Sequence, residues 1–242
     1  MTVSTQPPLY LASASPRRSQ LLTHAGIAFE RLIAPIDEDA LSEGYRGPLE
    51  RLGEYLACEK ALAALRLLEA SGRRGRVLAS DTTVLLDGQS LAKPHDLAEA
   101  EAMLKMLRGR EHVVATGVAL AGDGPEFIVS ATSETRVLMR DYSDDEIAAY
   151  VATGDPLDKA GAYSIQHPGF SPVAWFAGCH LGVIGLPLCL VGALLDHWPE
   201  APSSVQVAHC AEAPCPWSAT CRAPLPPVVA IHRVRQKSTD AP

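Results

Sequence analysis

A set of polar residues spread over the first two thirds of the chain has the types that polyphosphate chemistry needs. Its four cations would hold phosphate groups and the negative charge that develops during attack. Its carboxylates would bind a hard divalent ion and activate water. The set is Ser13, Arg17, Arg18, Glu38, Lys60, Asp81, Lys93 and Gln166. The residue types therefore predict metal-assisted attack on a polyphosphate.

Two adjacent arginines lie where a helix is predicted to begin, in the stretch LASASPRR. Ser15 followed by Pro16 is typical of a helix start, with a hydroxyl N-cap and proline at the first helical position. Arg17 and Arg18 then fall in the first turn, where the helix dipole disfavours cations. Backbone amides, dipole and guanidinium groups would together bind an anion there. A solvated first turn is the alternative.

Asp81 and Lys60 are charged residues at positions that the surrounding pattern predicts to be apolar. Asp81 is the one charge inside VLASDTTVLL, a buried strand predicted over residues 77–86. A carboxylate buried in a strand costs several kcal/mol unless it is paired or binds a metal. A long helix is predicted over residues 49–69. Lys60 lies on the apolar stripe of this helix, and the stripe ends at Leu67. A lysine there ordinarily extends its ammonium to solvent, so Asp81 is the stronger functional candidate.

Helical and strand patterns alternate along the chain, which predicts a mixed sheet in a protein that is α/β, or α+β at the edge of the sheet. Hairpin strands are predicted over residues 111–121 and 126–138. Helices are predicted to start at Asp96 and Ser143, each followed three residues later by a glutamate. A polar loop, DPLDKAGAYSIQ, has the composition typical of a site-forming segment.

An uncharged stretch over residues 173–195 is long enough to span a bilayer. Glycines and a proline interrupt it, His180 lies within it, and Asp196 follows without a basic cluster. A buried strand, a turn at GLP and a core helix explain it better. We therefore expect no membrane partner.

The net charge and the cysteine spacing limit which partners and which cellular location are expected. A net charge of −7 argues against a nucleic-acid polymer as partner. Six irregularly spaced cysteines do not form a disulfide framework, and no secretory signal is evident, so a cytoplasmic location is expected.

The composition changes near residue 197, which predicts two regions. A folded domain is expected over residues 8–197, and a poorly ordered tail rich in proline, alanine and cysteine over residues 198–242. A zinc site at HC-x4-C-x5-C, residues 209–221, is the alternative for the tail. Its spacings lack the usual two-residue knuckles.

The ordered motifs of residues 8–196 resemble those of the Maf family of nucleoside triphosphate pyrophosphatases. Neither GxxxxGK[ST] nor GxGxxG occurs, which disfavours a P-loop ATPase and a dinucleotide-binding dehydrogenase. The matching pieces are LASASPRRSQLL, IDED, ACEKA, SDTTV, LAKP, LRGREHVVATGV, GDPLDKAGAYSIQ and VIGLPL. The resemblance implies an inosine-triphosphatase-like fold, with a mixed central sheet flanked by helices and a substrate cleft between two lobes.

The resemblance also implies roles for individual residues. Asp81 matches the proposed catalytic base and a metal ligand, and Glu38 matches an acidic position near the metal. The phosphate-binding positions match Ser13, Arg17, Arg18, Lys60 and Lys93. The substrate-selecting positions match Arg17, Thr82 and Gln166. SPRR together with KAGAYSIQ is similar to the branch that acts on dTTP and UTP.

The function implied by the resemblance is hydrolysis of dTTP or UTP to the monophosphate and pyrophosphate by a cytoplasmic homodimer that uses Mg²⁺ or Mn²⁺. One alternative is a nucleotide-binding regulatory protein, linked to cell division, without significant turnover. Asp81 argues against it, because binding alone would not need a buried base. A membrane-anchored protein built on residues 173–195 is the other alternative.

Overall fold

The computed structural model describes residues 7–122, 127–196 and 230–233. A mixed sheet of eight strands forms its centre, and helices cover both faces. The strands are β1 Leu9–Leu11, β2 Glu30–Arg31, β3 Arg76–Leu86, β4 Gln89–Leu91, β5 Glu111–Gly122, β6 Phe127–Met139, β7 Val173–Ala177 and β8 Ala230–Arg233. The helices are α1 Pro16–His24, α2 Glu38–Gly44, α3 Leu52–Ala70, α4 Leu97–Leu107, α5 Asp144–Val151, α6 His180–Ile184 and α7 Leu188–Asp196. Short 3-10 helices cover Leu49–Arg51, Asp155–Asp158 and Ala160–Ala162.

The sheet has the order β2-β1-β3-β5-β6-β7, with β4 also paired to β3 and β8 to β6. β1 is parallel to β2 and β3, and the other pairings are antiparallel. The predicted α/β class with a mixed sheet flanked by helices is thereby confirmed.

One edge of β3 is interrupted in its middle. β1 pairs with β3 as far as Leu78, and β4 pairs with it from Val84 onward. Among the described strands, none lies along this edge at residues 79–83. Asp81 and Thr82 are therefore half-buried rather than enclosed. This gap explains how a strand can carry a carboxylate in its middle without burying it completely.

Helix α3 packs unusually close to the sheet because small residues face each other. A Cβ atom on Gly117 of β5 would lie 2.1 Å from the backbone nitrogen of Glu54, and one on Gly53 would lie 2.9 Å from the carbonyl oxygen of Asp81. Only glycine permits this approach at Gly117. Further along the helix, alanines continue the contact. The alanines of this interface are Ala57, Ala61 and Ala64 of α3 and Ala79, Ala119 and Ala121 of the sheet.

A buried carboxylate fixes the first turn of α3. Glu54 is 4% exposed. Its Oε1 accepts bonds from Arg51 (2.7 Å) and Ser130 (2.8 Å), and its Oε2 accepts one from Thr132 (2.6 Å). These donors offset the cost of burying the charge and tie the helix to β6. The predicted apolar stripe was wrong at Leu67, which is 44% exposed, because the buried face follows the small residues instead.

Two further apolar clusters flank the middle of the sheet. One joins α1, α6 and α7 to the face of β3 and β5 that carries Leu78 and Leu120. The other joins α4 and α5 to the far ends of β3, β5 and β6. The gap in β3 lies between these two clusters, so the clusters form the bodies of two lobes.

The apolar stretch over residues 173–195 is divided into β7, α6 and α7. β7 was predicted to be buried, and this was wrong. It lies at an edge of the sheet, and its Trp175 is 45% exposed. In the described part of the chain, no helix is long and apolar enough to cross a membrane.

The predicted helix starts are confirmed. Ser15 accepts a bond from the backbone nitrogen of Arg18, with Pro16 at the start of α1. Asp96 caps α4, and Ser143 forms a reciprocal capping box at α5.

Of the C-terminal segment, the structure describes only β8, which pairs antiparallel with β6 from Phe127 to Ser130. Residues 198–229 and 234–242 lie outside the described residues, and the candidate zinc cluster lies there too. The low order of the tail therefore stays a prediction. Of the described cysteines, Cys58 is a free thiol.

A buried histidine on β5 couples the stability of the fold to pH. His112 is 3% exposed, and its Nε2 lies 2.8 Å from the hydroxyl of Tyr163. Burial lowers the pKa of His112 from 6.5 to about 4, against a smaller opposing effect of the Glu111 charge. Between those values the unfolded chain binds a proton that the folded chain does not. This stabilisation is therefore complete above about pH 6.5 and is lost as the pH falls toward 4.

We expect His112→Gln to remove this pH dependence, because glutamine can still bond Tyr163 but does not titrate. The wild-type free energy of unfolding should lose roughly 2 kcal/mol more than that of the variant between pH 7 and pH 5. Urea unfolding at the two pH values measures it, with exposed His24→Gln on α1 as control. Equal pH dependence in wild type and His112→Gln would contradict the assignment.

Candidate active site

The structure brings all the predicted site residues to one cleft of about 1290 Å³, which opens at the gap in β3. They come from α1 and the loop before it, from α2, α3 and β3, and from the loops after β4 and after the 3-10 helices. The predicted residues on its walls are Ser13, Arg17, Arg18, Glu38, Lys60, Asp81, Thr82, Lys93 and Gln166. Residues far apart in the sequence thus meet where the two lobes face each other.

β3 supplies both walls at the gap, because successive side chains of a strand point to opposite faces. Asp81 faces α3 and pairs in register with Gly117, the residue that α3 crosses. Thr82 faces the other side and pairs in register with Thr116. One interrupted strand thereby presents a carboxylate and a hydroxyl to the same opening.

Arg18 is a fixed cation on the α1 wall. Its Nε donates to the carbonyl oxygen of Gly185 (2.9 Å), its Nη1 to Ser13 Oγ (3.2 Å) and its Nη2 to Thr82 Oγ1 (3.4 Å). Burial lowers the pKa of Arg18 from its ordinary value, but a guanidinium stays protonated at neutral pH. All three acceptors are uncharged, and the fork has further N–H groups, so its charge is available to an anion.

The bonds behind Arg18 have a fixed direction. Thr116 donates its hydroxyl hydrogen to the carbonyl oxygen of Gly182 (2.7 Å), so the 3.0 Å bond between Thr82 and Thr116 is donated by Thr82. Thr82 in turn accepts from Arg18. Sequence reasoning missed Thr116, which is fully buried, although it lies in the matched motif LRGREHVVATGV. Its partner Gly182 is 66 residues away, and only the fold reveals the contact.

Lys60 joins the two predicted metal-binding carboxylates. Its Nζ donates to Asp81 Oδ1 (2.5 Å) and to Glu38 Oε2 (2.8 Å). The Lys60 side chain is only 13% exposed, so its ammonium does not extend to solvent as the stripe position suggested. Three elements, α2, α3 and β3, meet at this one ammonium.

Glu38 is an anion at neutral pH. Burial on its own raises the pKa of Glu38 and is the largest effect on it. The bond and charge of Lys60, together with the charges of Lys93 and Arg18, outweigh burial and lower the pKa below 4.5. The Glu38 carboxylate therefore lies among the cations Lys60, Lys93 and Arg18.

The donor chemistry of the cluster fits a hard divalent ion. Glu38 and Asp81 offer carboxylate oxygens, which Mg²⁺ and Mn²⁺ prefer. Over the described residues, no group of three or more histidine, cysteine, aspartate or glutamate side chains could hold a metal by itself. An ion at these two carboxylates would need further oxygen ligands, as is usual for Mg²⁺.

Two predicted residues, Lys93 and Gln166, line the cleft with exposed side chains. In the part of the chain that the structure describes, neither side chain makes a hydrogen bond. Both side chains are therefore exposed within the cleft.

The wall opposite α1 carries charges that the sequence only partly indicated. Lys159, in the polar loop, is 8% exposed and bonds Asp158 Oδ1 (2.6 Å) and Asp155 Oδ1 (2.9 Å). Asp158 Oδ2 also accepts a bond from Arg17 Nη1 across the cleft (3.0 Å). Asp158 was missed, because an aspartate in a polar loop gives no pattern that names its partner.

Comparison with known proteins identifies a matching family and several similar proteins. Residues 8–198 match the family described as Maf-like protein. A protein of Thermomicrobium roseum named dTTP/UTP pyrophosphatase is 47% identical over 189 residues, which cover 78% of this chain and 83% of that protein. Proteins of the same name from Escherichia coli O157:H7 and Dictyoglomus turgidum are 42% and 38% identical, over 78% of this chain and 92% and 95% of theirs. The chain therefore belongs to the Maf family.

Proposed function

We propose that this protein is a nucleoside triphosphate pyrophosphatase that hydrolyses dTTP and UTP to the monophosphate and pyrophosphate. The observation that carries the proposal is the Asp81–Lys60–Glu38 cluster, which shares one cleft with the Arg18 cation. The names of relatives 38–47% identical over 78% of the chain support the choice of substrates.

The chemistry is attack of water on the α-phosphorus. Asp81 takes the proton of the water or orients it, the bond from water oxygen to α-phosphorus forms, and the bond from α-phosphorus to the bridging oxygen breaks. Within the described residues, Asp81 Oδ2 makes no hydrogen bond, so this oxygen is available to water while Oδ1 accepts from Lys60. Pyrophosphate leaves with the bridging oxygen.

The cations hold the polyphosphate. Arg18, fixed by neutral acceptors, keeps its charge for a phosphate oxygen and needs no rearrangement to use it. Arg17, Lys60 and Lys93 are further cations on the walls, and Ser13 orients Arg18.

Glu38 and Asp81 would hold the divalent metal. A bound Mg²⁺ or Mn²⁺ supplies charge neutralisation on the phosphate oxygens. Lys60 keeps the two carboxylates close to each other, so the chain's own cation arranges the ligands before a metal binds.

We further propose that the enzyme is a cytoplasmic homodimer. The resemblance of its motifs to the Maf family supports both parts of this proposal, and the free thiol of Cys58 supports the cytoplasmic location. Light scattering on the purified protein tests the dimer, and a monomeric mass would contradict it.

Asp81→Asn should abolish most of the turnover, because asparagine keeps the shape but is not a base. We expect the rate of pyrophosphate release to fall ~10² to 10⁴-fold with little change in nucleotide affinity. A nucleotide panel with pyrophosphate readout measures it on both proteins. Asp87→Asn, in the exposed turn after β3, is the matched control. Activity within threefold of wild type would refute the role of Asp81, and a wild type that binds without turnover would favour the regulatory alternative.

Chelation by EDTA should stop turnover, and Mg²⁺ or Mn²⁺ should restore it, because oxygen ligands favour these ions. Glu38→Gln should raise the metal concentration needed for half-maximal activity. Exposed Glu43→Gln on the same helix is the control. Full turnover in metal-free buffer, or an unchanged metal requirement in Glu38→Gln, would contradict the metal assignment.

Arg18→Ala should weaken binding of a nonhydrolysable triphosphate by roughly tenfold to a hundredfold, the usual loss for a charge-assisted bond. Binding of the bare nucleoside should change much less. Calorimetry measures both, with exposed Arg66→Ala on α3 as control. An equal loss for nucleoside and triphosphate would show that Arg18 is not a phosphate ligand.

A further inference from the structure

The two adjacent arginines of α1 have opposite surroundings. Arg18 bonds only uncharged oxygens, on its own side of the cleft. Arg17 instead bonds the carboxylate of Asp158, 141 residues away on the opposite wall (3.0 Å). The exposed fractions of the two side chains are 27% for Arg17 and 60% for Asp158, so solvent and ligands reach this pair.

Asp158 is held in place from behind. Lys159 is buried and bonds Asp158 Oδ1 (2.6 Å), the carbonyl oxygen of Asp155 (2.6 Å) and Asp155 Oδ1 (2.9 Å). The hydroxyl of Tyr150 donates to Asp155 Oδ2 (2.7 Å). The loop is therefore held by Lys159 and by Tyr150 of α5, and among the described side-chain bonds of Asp158 the one to Arg17 crosses the cleft.

Asp158 is an anion on the wall of a cleft lined by cations. Burial on its own raises the pKa of Asp158, but the bond from Lys159 and the charges of Arg17 and Lys159 lower it below 3.8. A negative group at this place repels an incoming polyphosphate. It also uses an N–H of Arg17 that a phosphate oxygen would otherwise accept.

We propose that Asp158 sets the affinity of the cleft for polyphosphate by acting as an internal counter-ion of Arg17. Before substrate binds, Arg17 is paired with Asp158; a phosphate group displaces the carboxylate and takes its place. Arg18 can therefore bind an anion at any time, whereas Arg17 binds one only after Asp158 is displaced. This inference rests on the proposed function, since it assumes that the ligand is a polyphosphate.

Asp158→Asn tests the inference, with inorganic tripolyphosphate as the probe. Asparagine can still accept from Lys159 through its carbonyl oxygen, but it carries no charge to hold Arg17. We expect the dissociation constant of tripolyphosphate to fall about fivefold, the upper range for a partly exposed ion pair, and the KM for dTTP to fall with it. Calorimetry and steady-state kinetics on the full chain measure the two.

Asp155→Asn is the matched control, because it removes the same charge from the same loop and contacts Lys159 but not Arg17. It should change tripolyphosphate binding less than about twofold, because half-buried Asp155 bonds Lys159 and Tyr150 but makes no bond with Arg17. In an Arg17→Ala background, Asp158→Asn should have no larger effect than this control. The difference between the two backgrounds isolates the Arg17–Asp158 contact.

Three results would overturn the inference. Weaker binding in Asp158→Asn would mean that Asp158 orients Arg17 for phosphate. Equal tightening with and without Arg17 would mean a general charge effect. No binding of tripolyphosphate to any variant would mean that the cleft does not take polyphosphates. If tripolyphosphate binds as expected but dTTP and UTP are not hydrolysed, the inference stands and the proposed function fails.

Discussion

The close crossing of α3 over the sheet at Gly53 and Gly117 is the constraint on which the site depends. The helix lies so near β5 that a Cβ atom on Gly117 would come within 2.1 Å of the helix backbone. At this distance Lys60, two turns further along, reaches Asp81 on β3 at 2.5 Å and Glu38 on α2 at 2.8 Å. A bulkier contact would move the helix outward and separate the ammonium from the carboxylates.

The same helix needs a fixed register along the sheet, and Glu54 provides it. A carboxylate that is 4% exposed is tolerated because Arg51, Ser130 and Thr132 satisfy its oxygens. Arg51 directly precedes α3, and Ser130 and Thr132 lie on β6. These bonds fix the start of α3 at one position along the sheet. The polar network thus positions Lys60 indirectly, through the helix that carries it.

The interrupted edge of β3 solves the problem of placing charge in the middle of a sheet. β1 and β4 cover the two ends of this edge, and the uncovered middle exposes Asp81 on one face and Thr82 on the other. Groups held by α3 and groups held by α1 and α6 therefore meet at one opening. The arrangement gives carboxylates from one face and a fixed guanidinium from the other.

Local chemistry made much of this predictable. The hydroxyl cap at Ser15 located α1, and the charge of Asp81 within an apolar run marked a functional strand. The relations between distant segments could not be predicted, because they depend on the register of the sheet. Thr116, which closes the hydrogen-bond chain behind Arg18, and Asp158, which pairs with Arg17, are unremarkable in the sequence. Leu67 was misplaced for the same reason, since the buried face of α3 carries Leu65 and Leu68 beside the alanines and leaves Leu67 44% exposed.

Hydrolysis of dTTP in ¹⁸O-labelled water shows which phosphorus is attacked by the water that Asp81 activates. The products are separated, and mass spectrometry measures the ¹⁸O content of each. Attack on the α-phosphorus places one ¹⁸O atom in the thymidine monophosphate and none in the pyrophosphate. Label in the pyrophosphate, or release of inorganic phosphate instead of pyrophosphate, would contradict the account.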